Sequence, residues 1–522
     1  MRDDGVVLTN LLARRAADTP DQVFLQDVGG QQLTYGELQD RILRWAGALQ
    51  EAGVTAGETV VTMLPASLEA FAVWLGIASL RAIEVPLNTS YRGPMLEHTV
   101  NTAAARLAVV TSAFVPQFDE VRSSLSSLER IIVPDGADEG FADDAVPAKD
   151  LEPAAYHDIA CMIYTSGTSG PSKGVLMPWG ELHQFVTSVP TDVLADDGVY
   201  YLCLPVFHVS GKSGIYICAE HEARMVVRET FSLTEFWNDI RTFGVTSTGL
   251  IGVMASFLMA MPEQADDGEH PLQHVTMGPL VAEVEDFKRR FGVKVSTGYG
   301  MTEIGVPMSS DGWNLANETS CGRVRTGYPG YEVRVVDEVD RALGPGQVGE
   351  LIVRTAEPFT MNAGYYGMPA ETAHAWRNGW FHTGDAFRYD DDGNFYFVDR
   401  IKDAIRRRGE NISSFEVEAY VVKHPAVAEC AAVGVPSEHS EDEVKVVVVP
   451  APGASLDPAA LIEFLIPTMP RFMIPRYVEV VDALPKTPTM RVRKVELRAG
   501  DADSVFGDGV WDREAAGIEL PR

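Results

Sequence analysis

Through the first 150 residues, apolar positions at helical spacing alternate with short, nearly unbroken apolar runs. Residues 38–52 carry apolar side chains at three- and four-residue intervals and stop at Gly53, which predicts a helix closed by a glycine. Residues 59–63 and 107–111 read as short buried strands, and 64–77, entered near Pro65, as a second helix. Strands alternating with helices imply parallel βαβ units. Residues 159–165 form another buried strand, which runs straight into a glycine-rich stretch. The longest uncharged run, 242–262, contains Gly244, Gly249, Gly252 and several hydroxyls, so it predicts a buried strand and helix rather than a membrane span.

Between 323 and 399 the pattern changes to short strands at 333–336, 349–354 and 394–398. They are split by turns such as Leu343-Gly344-Pro345-Gly346 and Asp391-Asp392-Gly393-Asn394, and the region reads as a small β-rich subdomain. Residues 390–393 are acidic enough to suggest a calcium loop. They lack the alternating ligand spacing and the distal Glu, so a hairpin turn is expected. After about 403 a smaller α+β unit follows, with helices at 414–423 and 457–466 and strands at 427–435, 444–449 and 476–481. The tail, 501–522, is polar and acidic and is expected to be loosely held. The expected fold class is therefore α/β.

The chain has 522 residues, enough for about three structural units, and needs no disulfide or metal staple to bury a core. Its 46% apolar and 22% charged residues exclude a disordered chain. Lys plus Arg number 43 against 74 Asp plus Glu, a net charge of −31. Such a balance argues against nucleic acid or an anionic membrane as partner, since both attract basic surfaces. A small phosphate ligand needs only a local site and stays open. The five cysteines include no CxxC pair, and the N-terminus has no apolar core of signal-peptide length, so a reducing cytoplasm is expected.

Tyr164-Thr165-Ser166-Gly167-Thr168-Ser169-Gly170-Pro171-Ser172-Lys173-Gly174 follows the strand at 159–165. A loop of this kind can offer backbone N–H groups, hydroxyls and one ammonium to a polyphosphate. It is not a Walker A loop, because Ser172 and Gly174 flank the lysine. Taken alone, it could equally be a flexible surface loop. It does not stand alone. Gly298-Tyr299-Gly300-Met301-Thr302-Glu303 follows a strand at 293–296, and Trp380-Phe381-His382-Thr383-Gly384-Asp385, Asp399-Arg400-Ile401-Lys402-Asp403 and Arg408-Gly409-Glu410-Asn411-Ile412 come later.

In this order and spacing, the segments resemble the adenylate-forming superfamily of acyl-CoA synthetases, luciferases and peptide-synthetase adenylation domains, and bacterial acyl-CoA ligases in particular. The resemblance spans about residues 8 to 498. It implies a large N-terminal domain over 1–400, a hinge at 401–403 and a mobile C-terminal α+β lid over 404–500. It also implies two half-reactions. A carboxylate attacks the α-phosphorus of ATP to give an acyl-adenylate and pyrophosphate, and a thiol, usually that of coenzyme A, then takes the acyl group. ATP, magnesium and coenzyme A are the expected small-molecule partners.

Residue by residue, the resemblance puts Thr165, Ser166, Gly167, Thr168, Ser169 and Lys173 in the polyphosphate loop. Tyr299 falls where adenine stacks, with Gly300 and Met301 beside it. Thr302 falls where a hydroxyl meets the α-phosphate, and Glu303 matches the magnesium carboxylate. Asp385 matches the acceptor of the ribose hydroxyls, Arg400 its basic companion, and Gly278 and Pro279 the adenine-contacting segment. Phe207, His208, Ser210, Gly211, Lys212 and Gly298 fall in the acyl pocket, and Lys402 in the hinge. Arg406, Arg407 and Arg408 are a basic cluster suited to coenzyme A phosphates, and Gly409 matches a glycine that lets a pantetheine arm pass.

One departure stands out. The family's C-terminal motif ends in Gly-Lys, and that lysine bridges carboxylate and α-phosphate. Here Met490 and Arg491 hold those places, and Lys494 is a second candidate for the bridging role. Lys212 is unusual for a fatty-acyl tunnel and favours a small or aromatic polar substrate. These features also keep open an ATP-dependent diazotase, which activates nitrite and joins it to an aryl amine. A nucleotide-binding homologue without catalysis is the third reading.

Overall fold

A computed structural model describes residues 4–165, 172–194, 197–407, 410–437, 442–487, 492–498, 509–518 and 520. Two largely parallel sheets form the bulk of the N-terminal region. The first has six strands in the order Arg130–Ile132, Leu107–Val110, Thr59–Met63, Ile83–Pro86, Ile159–Thr165 and Lys173–Pro178, antiparallel only at the last pair. The second has seven, in the order Lys294–Ser296, His274–Met277, Ser247–Leu250, Val199–Leu202, Arg224–Val227, Val23–Asp27 and Gln32–Thr34, again antiparallel only at the last pair. Central strands such as Thr59–Met63 and Val199–Leu202 are buried along their whole length. Such burial on both faces is why they read as unbroken apolar runs rather than as alternation.

Helix boundaries follow their caps. The helix Tyr35–Glu51 begins at Thr34, whose hydroxyl accepts from the Glu37 N–H while the Glu37 side chain accepts from the Thr34 N–H. The helix expected over 64–77 is Leu68–Ser79, because Ser67 caps it by accepting from the Ala70 N–H at 3.2 Å. Within 242–262 lie the buried strand Ser247–Leu250 and the helix Gly252–Ala260. No helix among the described residues is long and apolar enough to cross a membrane.

Four antiparallel strands, Tyr331–Val336, Gly349–Thr355, Phe381–Tyr389 and Phe395–Arg400, make the β-rich subdomain. The acidic run at 390–393 is the hairpin turn between its last two strands. One Asp390 oxygen accepts from the Asp392 and Asn394 N–H groups and the other from the Tyr396 hydroxyl at 2.7 Å, so the carboxylate closes the turn.

The hairpin Ile405–Arg407 with Glu410–Ile412 leads into the C-terminal unit. There the helices Ser414–Val421 and Pro458–Leu465 share one apolar core with the sheet. Its strands run in the order Val427–Pro436, Asp442–Pro450, Tyr477–Val480 and Val510–Asp512. The last strand departs from the loosely held tail expected over 501–522. Val510–Asp512 pairs antiparallel with Tyr477–Val480, Trp511 and Ile518 pack on the core, and Asp512 pairs with Arg476 at 3.2 Å. A few apolar residues within a polar stretch suffice to dock an edge strand.

Candidate active site

A cavity of about 900 Å³ opens where the carboxyl ends of both parallel sheets converge. Pro86 and Thr165 end strands of the six-stranded sheet there, while Leu250 ends and Leu204 and Gly278 follow strands of the seven-stranded one. Open α/β sheets bind ligands at this end of their strands.

The β-hairpin Gly298–Met301 and Gly305–Ser309 projects its turn into the cavity, carrying Gly300, Met301, Thr302 and Glu303. Gly305 has φ +67°, and a Cβ there would overlap Gln184 and lie 2.7 Å from the Tyr331 hydroxyl, so this turn requires glycine. Glu303 accepts from the Tyr365 hydroxyl at 3.2 Å, and its carbonyl accepts from the Asn362 amide at 2.6 Å. Burial holds its carboxyl above the usual carboxylate range. Lys173, paired across its hairpin with Thr165, stands 4.8 Å over the Tyr365 ring, and both Thr165 and Lys173 line the cavity.

Asp385 and Arg400 are direct cross-strand partners, and their side chains pair at 2.7 Å. Asp385 also accepts from the Tyr299 hydroxyl at 2.6 Å. Tyr299 meets Phe387 edge-on at 4.7 Å, and burial pushes its phenol up. Arg400 and Lys402 line the cavity, whereas Asp385 and Tyr299 stand behind that wall, and Pro279 and Gly298, expected at the adenine and acyl ends, are not part of the lining.

Phe207, His208 and Ser210 also line the cavity. His208 caps the helix Val209–Glu220: its Nδ1 accepts from the Ser210 N–H at 3.3 Å and lies 2.8 Å from the Ser210 hydroxyl. An accepting Nδ1 leaves the ring proton on Nε2.

Two expectations need correction. Lys212 does not line the cavity, and neither does Gly211, which packs against Pro205. The Lys212 ammonium is buried 3.9 Å over the Trp74 ring and paired with Glu84, whose other oxygen accepts from Thr62 at 2.9 Å. A buried ammonium needs an ion partner, and the helix turns it toward one. Lys494 is likewise engaged away from the cavity, pairing with Glu418 at 2.7 Å and donating to the Ser414 hydroxyl. Ser166, Gly167, Thr168, Ser169, Arg408, Gly409, Met490 and Arg491 lie outside the described residues.

Three features have no counterpart in the sequence reading. Tyr365 links Glu303 and Lys173, and only its place in a Tyr-Tyr pair sets it apart in the chain. Glu350 holds His382 at 2.9 Å, Arg377 at 3.0 Å and the Gly384 N–H at 3.1 Å, fixing the strand that carries Asp385. Glu181 is fully buried, and neither of its oxygens has a hydrogen-bond partner among the described residues. Burial, then the charge of Glu303, pushes its carboxyl far above the usual range.

This nucleotide-sized cavity between two parallel sheets, with a small α+β unit following, is the architecture of an AMP-binding enzyme. The chain belongs to that family: the AMP-binding enzyme model matches residues 12–366, and the AMP-binding enzyme C-terminal domain model matches residues 416–491. A crotonobetaine/carnitine–CoA ligase of Salmonella typhimurium is 30% identical over 485 residues, covering 90% of this chain and 93% of that protein. ATP-bound MatB from Rhodopseudomonas palustris superposes with a TM-score of 0.85 at 26% identity, over 96% of this chain and 99% of that one. O-succinylbenzoate coenzyme A synthetase from Bacillus subtilis, solved with AMP, shares the fold with a TM-score of 0.83 at 23% identity, over 94% and 99% of the two chains.

Proposed function

We propose that the protein is an AMP-forming acid–CoA ligase. It joins a carboxylic acid to AMP, releasing pyrophosphate, and transfers the acyl group to the coenzyme A thiol, releasing AMP. The observation carrying this reading is that Glu303, Thr302, Lys173 and Arg400 face one cavity at the carboxyl ends of two parallel sheets. Its relatives, among them the Salmonella ligase and MatB, support the same chemistry.

Among the described residues no group of three or more His, Cys, Asp or Glu is placed to hold a metal. One carboxylate plus phosphate oxygens is the set magnesium favours, and Glu303, buried at the cavity with its carboxylate accepting from the Tyr365 hydroxyl, fits that role. Magnesium held there supplies charge neutralisation on the phosphates. Lys173 and the Thr302 hydroxyl steady the phosphoryl oxygens as the acid oxygen bonds to the α-phosphorus and the bond to the leaving pyrophosphate breaks. Asp385, held by Arg400 and Tyr299 outside the cavity lining, is the ribose acceptor once Arg400, which lines the cavity, gives way to the nucleotide. His208 Nε2–H is a donor at the acyl end. Arg491 takes the bridging position toward the α-phosphate. Residues 401–403 serve as the hinge, Arg406 and Arg408 receive the phosphates of coenzyme A, and Gly409 lets its arm pass, whereas Arg407, expected in the same cluster, is buried against Glu443 at 2.7 Å and donates to the Phe472 and Ile474 carbonyls.

The test is pyrophosphate release across a panel of acids, with and without coenzyme A, followed by mass spectrometry of the product. A thioester and AMP are expected. Pyrophosphate released only with nitrite plus an aryl amine would select the diazotase. ATP binding without turnover on any substrate would select the non-catalytic homologue.

A further inference from the structure

The cavity wall built from the seven-stranded sheet and the helices Trp179–Val186 and Val209–Glu220 includes Phe185, Val189, Leu204, Phe207, Ile217 and Ile251. Among the described residues this wall carries no Asp, Glu, Lys or Arg. Lys212, the lysine of the helix Val209–Glu220, pairs with Glu84 instead. Most hydroxyls on the wall are already bonded within the protein, that of Ser210 to His208 at 2.8 Å, and the Tyr200 phenol also lines it. Ser188 donates to the Phe185 carbonyl at 2.6 Å, Ser213 to the Ser210 carbonyl at 3.1 Å, and Thr276 shares a bond with Ser296 at 3.2 Å. A second carboxylate or a quaternary ammonium on the substrate would therefore be desolvated here without a counter-charge, which is costly.

Gly249 lies within the buried strand Ser247–Leu250 and lines this wall. Its φ is not positive, so the backbone does not demand glycine. A Cβ at this position would stand 3.0 Å from the Tyr200 hydroxyl and 3.8 Å from Leu204. A strand glycine of this kind marks close approach of a ligand or another backbone.

We infer that the acid activated here is an uncharged aromatic or apolar one, with His208 as its polar contact, and that Gly249 limits how far its distal end can extend. This deepens, and rests on, the adenylation reading. The apolar wall rewards a ring or alkyl chain by burial, and one methylene in such a pocket is worth about 10–200-fold in kcat/KM.

The experiment measures pyrophosphate release with benzoate, 4-methylbenzoate, cinnamate, hexanoate, propionate, succinate and glycine betaine, alongside calorimetry of ATP–magnesium binding. At least one of the aryl acids or hexanoate should exceed succinate and glycine betaine in kcat/KM by about 100-fold or more. Gly249→Val should lower the ratio of kcat/KM for 4-methylbenzoate over propionate about 30-fold, and Gly249→Ala should lower it less. Thermal unfolding checks that each variant folds, and Gly249→Ala carries the test if the valine does not. Turnover led by succinate or glycine betaine overturns the inference and leaves adenylation standing. A ratio shifted less than about 3-fold in a folded Gly249 variant overturns the role of Gly249. ATP binding with no pyrophosphate from any acid overturns both readings, and no ATP binding overturns the adenylation reading itself.

Discussion

The two walls of the cavity differ in kind. The wall from the seven-stranded parallel sheet has no carboxylate, ammonium or guanidinium among its described residues, while the opposite wall carries Glu350, Arg377, His382, Arg400 and Lys402. Strand topology explains the difference. Parallel strands are covered on both faces, so side chains at their ends emerge from an apolar layer. The antiparallel hairpins of the β-rich subdomain bring polar residues of adjacent strands side by side, as with Asp385 and Arg400. One wall can thus hold charge in paired form, and the other can select a neutral group by shape.

Glu303 stands where the walls meet, and changing it should have the largest effect. Glu303→Gln keeps the shape but removes the charge, and pyrophosphate release should fall on the order of 10³-fold with thermal unfolding unchanged. Near-normal turnover at saturating magnesium would remove Glu303 from the metal role.

Asp385→Ala tests the charged wall next. It strips Arg400 and Tyr299 of their shared acceptor. Breaking such a buried pair should lower the unfolding free energy by about 3 kcal/mol, read from urea denaturation, and weaken ATP binding. Unchanged values for both would show the pair to be incidental.

Lys494→Met asks whether the charged wall draws a cation from the C-terminal unit. Lys494 offsets the burial of Glu418, whose carboxyl is already raised by burial despite that lysine. Stability should fall by about 2 kcal/mol while pyrophosphate release changes less than about 3-fold. A loss of about 10²–10³-fold in pyrophosphate release would instead make Lys494 the bridging cation and release Arg491 from that role.

The same contrast explains what the sequence could reveal. Thr302, Glu303, Asp385 and Arg400 stand out in the sequence because they sit in or beside short motifs with glycines that the backbone requires, such as Gly384 with φ +70° within its strand. The parallel strands were legible as apolar runs, and Thr59–Met63 and Ile159–Thr165 have the bounds their pattern implies. Lys212 was misplaced because its partner, Glu84, is 128 residues away, and no local pattern announces an ion pair at that separation. Gly249 looked like any other glycine in an uncharged run. Only the positions of Tyr200 and Leu204 show that its missing side chain shapes the cavity. The pairing of Lys494 with Glu418 was equally invisible, since Glu418 lies on a helix from another part of the chain.

Behind the uncharged wall, one of its supporting helices holds a carboxyl group outside the cavity lining. Glu181 sits on the helix Trp179–Val186, buried, with no hydrogen-bond partner for its carboxyl oxygens among the described residues. Burial raises its pKa well above 4.5, and the nearby charge of Glu303 adds to the shift. The folded protein then holds a proton that the unfolded chain releases as pH rises above about 4.5. With more protons bound in the folded state than in the unfolded one, stability falls as pH rises through this window, up to the folded pKa. The loss approaches about 1.4 kcal/mol per pH unit where the two states differ by one full proton. Glu181→Gln removes this titration, so the variant should gain on the wild type by up to about 1.4 kcal/mol between pH 5.5 and 6.5 in urea denaturation. A gap between variant and wild type that stays flat across that range would mean Glu181 ionises in the folded state. The helix beside the acyl end would then carry a charge, and the contrast between the walls would weaken.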